Sequence, residues 1–133
     1  MFSFQHYTDQ LFFFAGFQKL PAFLIEKSLT DFFNFMSQGV IFKEQVFEDV
    51  SRDPSDIIRY GGDCGEKTKV TMIYLMQNEI DFEVVYLRTD VNRYHVFCRV
   101  WDGSKFIDYD NSYDFLKLGE RFPDEEIAKF KRG

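Results

Sequence analysis

Apolar residues along this chain recur first at helical and then at strand spacing, and the change falls near residue 82. In the first part, Ile25, Leu29, Phe32, Phe33 and Met36 follow one helical face, with Glu26, Lys27, Asp31 and Asn34 on the exposed side. Pro21 suits the first turn of that helix, where its missing N–H has no partner to lose, and Gly39 is placed to end it in a left-handed conformation. One helix is therefore predicted from Pro21 to Gly39. Before it, Leu11 to Phe17 is apolar all round with no clear period, which fits either a buried helix or an interaction segment.

Asp53-Pro54-Ser55-Asp56 reads as a helix start, with Asp53 as N-cap and Pro54 at the first position. Gly61-Gly62 stops that helix within a turn or two, and a second helix opens near Cys64. Val70, Ile73, Tyr74 and Gln77 form one stripe of it, with Met72, Leu75 and Met76 alongside, so much of its circumference is buried. Glu66, Lys67 and Lys69 fall in its first turns and are expected near the solvent end.

From Phe82 the pattern is that of strands. Phe82 to Arg88 and Tyr94 to Trp101 are rich in β-branched and aromatic residues, Asp102-Gly103 is a hairpin turn, and Lys105 to Asp110 is the returning strand. A last short helix is expected from about Pro123, with Asp124, Glu125 and Glu126 at its positive end and Lys129, Lys131 and Arg132 at its negative end. Helices followed by an antiparallel sheet make the fold class α+β.

No repeat or linker divides the 133 residues, which read as one domain, 1–133. Its parts are an aromatic-rich helical stretch (1–52), a central region holding the candidate chemistry (53–112) and a helical tail (113–133). Sixteen basic against 22 acidic residues give a net charge of −6, the wrong sign for binding nucleic acid through its phosphates. The longest apolar run, Leu11 to Ala15, is too short to span a bilayer, and no signal peptide is visible. The expectation is a cytoplasmic protein with no membrane partner. Two cysteines and two histidines, with no CxxC or CxxH pair, argue against structural zinc, and no cofactor is expected. Phenylalanine is unusually frequent at 18 residues, which fills a small core efficiently or furnishes a docking surface.

The candidate chemistry starts at Tyr60-Gly61-Gly62-Asp63-Cys64-Gly65. A cysteine at a helix N-terminus feels unpaired N–H groups that favour thiolate over thiol and could hold an oxyanion; the alternative is a small, inert core cysteine. Asp63 serves equally well as the helix N-cap. A thiolate nucleophile needs a proton partner, and His95, inside a predicted strand, is the histidine available for it. Crossing Asp102-Gly103 brings residues 108–110 back beside His95, so either Asp108 or Asp110 could orient the imidazole. Cys98 has the opposite parity and reads as packing; His6 reads as a surface or packing residue.

Gly61-Gly62-Asp63-Cys64 before a helix, His95-Val96-Phe97 in a strand, and Phe106-Ile107-Asp108-Tyr109-Asp110-Asn111-Ser112 together resemble the transglutaminase-like superfamily, a branch of the papain-like cysteine enzymes. That pattern is G-D-C, a strand opening with His, and W-x-x-x-D-P-[ST]; here Phe106 stands at the Trp position and Asn111-Ser112 replaces Pro-Thr. The resemblance covers residues 53–112. It implies a papain-like core with Cys64, His95 and Asp110 as the catalytic set, Asp110 being preferred to Asp108. A second acid that many relatives carry after the cysteine would be Glu66. The implied activity is a cysteine-dependent peptidase or amidase acting on a peptide or protein through a thioester. The alternatives are a transglutaminase-type acyl transferase and a non-catalytic assembly protein, such as a phage virion component, docking through its Phe-rich N-terminal segment.

Overall fold

A four-stranded antiparallel sheet and the helix that opens at Cys64 organise the molecule; the computed structural model describes residues 2–44, 49–90 and 93–131. Five helices come first: α1 (Phe4–Phe17), α2 (Ala22–Ile25), α3 (Leu29–Gly39), α4 (Pro54–Tyr60) and α5 (Cys64–Gln77). Strands β1 (Phe82–Asp90), β2 (Arg93–Trp101), β3 (Phe106–Tyr109) and β4 (Glu125–Lys131) follow, in the spatial order β3-β2-β1-β4. The fold is α+β, as the change of periodicity implies.

One sheet face carries Val84, Tyr86, Val96, Cys98 and Val100 into the main core, where α5 contributes Val70, Met72, Ile73 and Leu75 and α1 contributes Leu11 and Ala15. The other face holds a small cluster of Val85, Leu87 and Phe97, with Phe122 packed on it. Phe32 of α3 stacks on Tyr74 of α5 with ring centroids 4.0 Å apart, fixing the helical layer to the central helix.

Four expectations change. The helix predicted from Pro21 to Gly39 is two helices, because Ser28 leaves the helical conformation and its side chain accepts from the Asp31 N–H, an N-cap that outweighs continued periodicity. Pro21 is the N-cap residue of α2 and does not occupy its first turn. Gly39 is the last residue of α3 and has no positive φ; the turn is made by extended Val40. The helix expected from Pro123 is instead β4. It pairs with β1 from Glu83↔Lys131 to Arg88↔Glu125, with a bulge at Ile127, and so satisfies an edge of β1 whose N–H and C=O groups would otherwise lack partners. Arg132, placed in that helix, lies outside the described residues.

The largest departure concerns charge. Glu66, Lys67 and Lys69 are not at the solvent end of α5; they are 2%, 0% and 0% exposed. Chain segments whose carbonyls need donors wrap this half of the helix. Lys67 Nζ donates to Val40 O (2.6 Å) and Ser112 O (2.9 Å), and Lys69 Nζ to Val50 O (2.7 Å) and Arg52 O. Burial pulls both ammonium groups down to about 8.

Candidate active site

Local sequence rules place Cys64 before any tertiary contact does. Asp53 caps α4 by accepting from the Ser55 N–H at 2.9 Å, and Pro54 takes the first position, as predicted. Gly61 ends α4 at φ 93°, and a Cβ there would come 2.7 Å from Ile41 O, so this turn requires glycine. Gly62 bridges to Phe42 in a short parallel pairing, with Gly62 N donating to Ile41 O (3.0 Å) and Lys43 N to Gly62 O (2.9 Å). Asp63 and Glu66 then form a reciprocal capping box at 2.8 and 3.2 Å. Burial raises the Asp63 carboxyl to about 6 against its hydrogen bonds. Cys64 is the first residue of α5 and half-buried.

The carboxylate of Glu66, the acid that follows the cysteine in the motif, pairs with Arg52 (Nε–Oε2 2.7 Å), which also donates to Gly61 O at 2.5 Å and so locks the glycine turn to α5. Gly65 also leaves no room for a side chain. A Cβ there would sit 1.8 Å from the Tyr7 hydroxyl, which fills this notch from α1.

His95 lies near the start of β2, opposite Leu87 of β1. Thr68 Oγ1 donates to the adjacent Val96 carbonyl at 3.1 Å and draws the first turns of α5 onto this end of the strand. The imidazole is 2% exposed, and its Nε2 is 2.5 Å from Oδ2 of Asp110, which is itself fully buried just after β3. The second carboxylate oxygen accepts from the Ser112 N–H at 3.2 Å. Burial favours the neutral ring, but hydrogen bonds from the ring to Asp110 and Cys64 and their charges overcome it and raise its pKa to about 10. Cys64, His95 and Asp110 thus meet at one place.

Asp108 is not part of that meeting. It stands opposite Arg99 and bonds its Nε at 3.1 Å, in an ion network completed by Glu126 of β4. Cys98 is 1% exposed in the main core, where burial pushes its thiol up, and His6 is exposed on α1. Among the described residues no group of three His, Cys, Asp or Glu side chains is placed to hold a metal. Among the same residues no helix is long and apolar enough to cross a membrane.

Sequence reasoning missed the aromatic shell. Tyr113 and Phe122 lie 5.5 and 5.7 Å from the His95 ring, Phe42 packs on Tyr113, and Phe115 stacks on the outer side of Tyr113 at 62% exposure. Tyr113, three residues after Asp110, was the readable clue. Val91 and Asn92, between β1 and β2, lie outside the described residues. A pocket of about 610 Å³ opens at the far end of α5, between Met76, Ile80, Phe82 and Phe106; no residue around Cys64 lines it.

No protein-family model matches the chain, and neither does any curated protein. Among solved structures the fold is that of a protein from Cytophaga hutchinsonii described as a candidate cysteine protease. That chain aligns at a TM-score of 0.51 and 9% identity, over 96% of the present chain and 50% of its own length. At this identity the likeness establishes the shared fold, and the present chain spans half the length of that neighbour.

Proposed function

We propose that this protein is a cysteine-dependent hydrolase, a peptidase or amidase, with Cys64 as nucleophile, His95 as proton carrier and Asp110 as the group that orients it. The observation that carries this reading is the buried 2.5 Å contact between His95 and Asp110 on a ring that also engages Cys64 at a helix N-terminus. In the acylation step Cys64 Sγ bonds to the amide carbon, the C–N bond breaks, and the leaving nitrogen takes its proton from His95. In deacylation water gives a proton to His95, its oxygen bonds to the thioester carbon, the C–S bond breaks, and Cys64 leaves as thiolate. Asp110 holds the Nε2–H and stabilises the imidazolium. Asp63 already accepts from the Glu66 and Gly65 N–H groups, so this reading assigns the oxyanion to the Cys64 N–H.

The shared fold and the resemblance of residues 53–112 to transglutaminase-like enzymes support the same chemistry. The aromatic rings over His95 favour one variant of it, transfer of the acyl group to an amine in place of water. The exposed Phe13, Phe17 and Phe23 favour a protein-contact role for the N-terminal segment, which in the absence of turnover becomes the main reading.

The test is incubation with a mixed peptide-amide library, with and without a primary amine, followed by mass spectrometry. Hydrolysed products lost in Cys64→Ser support the hydrolase. Amine adducts lost in the same variant support the transferase. No Cys64-dependent product from any peptide overturns both.

A further inference from the structure

Lys67 is the buried charged group that the mechanism above leaves unused. It lies one turn along α5 from Cys64, is 0% exposed, and has carbonyl partners on two different segments. Val40 O belongs to the segment that goes on to Ile41 and Phe42 and bridges Gly62, directly before the nucleophile. Ser112 O belongs to the loop that begins at Asp110, and the Ser112 N–H itself binds the Asp110 carboxylate. One ammonium therefore ties the segment on the Cys64 side to the loop on the His95 side. Asp110 and Asp114 face it from that loop and act on its charge.

Burying a cation is costly, and a methionine of similar shape would fill the same space without that penalty. The charge therefore needs a purpose beyond filling. Asp110 provides one, because a fully buried carboxylate beneath His95 is better tolerated with a cation in its field. We propose that Lys67 is a positioning residue of this site, its two carbonyl bonds fixing the approach of the Asp110 loop to α5 and its positive charge offsetting Asp110 when Cys64 carries a negative charge. The inference rests on the reading of Cys64 and His95 as the reacting pair. It adds a fourth side chain to the three that sequence motifs supply.

The experiment follows carbamidomethylation of Cys64 by iodoacetamide in the whole chain from pH 6 to 10, reading the Cys64 peptide by mass spectrometry. Lys67→Met slows the reaction about tenfold at pH 6.5, the factor that one pH unit of charge coupling represents, and converges with the parent by pH 10. Lys67→Gln, which keeps two N–H donors on a shorter side chain and removes the charge, carries the same test should the methionine variant not fold. Lys67→Arg matches the parent at pH 6.5 and departs from it above about pH 8, where the lysine loses its proton and a guanidinium does not. An unchanged profile in both neutral variants, or slowing by one factor at every pH, overturns the proposal. His95→Ala separates the two readings. If it leaves Cys64 reactivity unchanged, the reacting pair itself is wrong; if it slows Cys64 while the neutral Lys67 variants do not, only the role of Lys67 is lost.

Discussion

The two halves of α5 are equally buried and chemically opposite. From Met72 to Leu75 the helix is apolar apart from the Tyr74 hydroxyl, and its stability comes from area removed from water and from the Phe32 stack. From Glu66 to Thr71 it buries an acid, two lysines and two threonines beside Val70, and the structure gives each of those polar side chains partners. A helix meant only to fill a core gains nothing from the second pattern, since satisfied polar groups contribute about 1 kcal/mol per hydrogen bond after desolvation. What the polar half gains is position. Its side chains reach carbonyls in segments that have no regular structure and so hold Val40, Val50, Arg52 and Ser112 against the first half of α5.

Substitutions sharpen that contrast by separating loss of activity from loss of stability. The largest expected effect is Cys64→Ala, which lowers kcat/KM by about 10⁴ or more and leaves the urea midpoint close to the parent's. Ile73→Ala, one helix away in role, does the reverse. It costs about 2–5 kcal/mol in a urea titration, while kcat per folded molecule is retained. Next comes the proton on His95. Its folded-state pKa is raised from 6.5 to about 10, so the stability it contributes is complete below about pH 6.5 and drains away as pH rises toward 10. The melting temperature accordingly falls between pH 6.5 and 8, and His95→Gln flattens that fall. Above pH 8 the depressed Lys67 and Lys69 act with the opposite sign, because the unfolded chain then holds more protons than the folded one. The smallest effect belongs to Asp108→Asn, which loosens the partly exposed Arg99 pair by about 0.5–1 kcal/mol and changes turnover less than about threefold. A large loss there would return Asp108 to the site.

How far the chain could be read without coordinates follows the same division. Strand alternation from Phe82 and the stripe from Val70 to Tyr74 are strong periodic signals, so α5, β1, β2 and β3 lie where the pattern puts them. The caps at Asp53 and Asp63 are local chemistry and equally readable. That residues 108–110 return beside His95 is legible because a tight hairpin fixes register, whereas the choice of Asp110 over Asp108 and the pairing with Cys64 came with the resemblance. Contacts between distant segments are what no window of sequence contains. Glu125 to Lys131 has the charge order of a helix and becomes a strand because β1 has an edge to fill. Lys67 and Lys69 look like solvated lysines until segments 40–44 and 49–52 fold over them. The Ser28 break is written in Ser28-x-x-Asp31, across which the apolar period runs on unbroken.

The notch at Gly65 has a mechanical consequence. With the Tyr7 hydroxyl seated where a β-carbon would be, α1 is keyed into the turn of backbone that presents the sulfur. The exposed rings of Phe13 and Phe17 ride on that same rod, less than three turns from the key. A force applied to those rings would act on a lever whose other end rests beside Cys64.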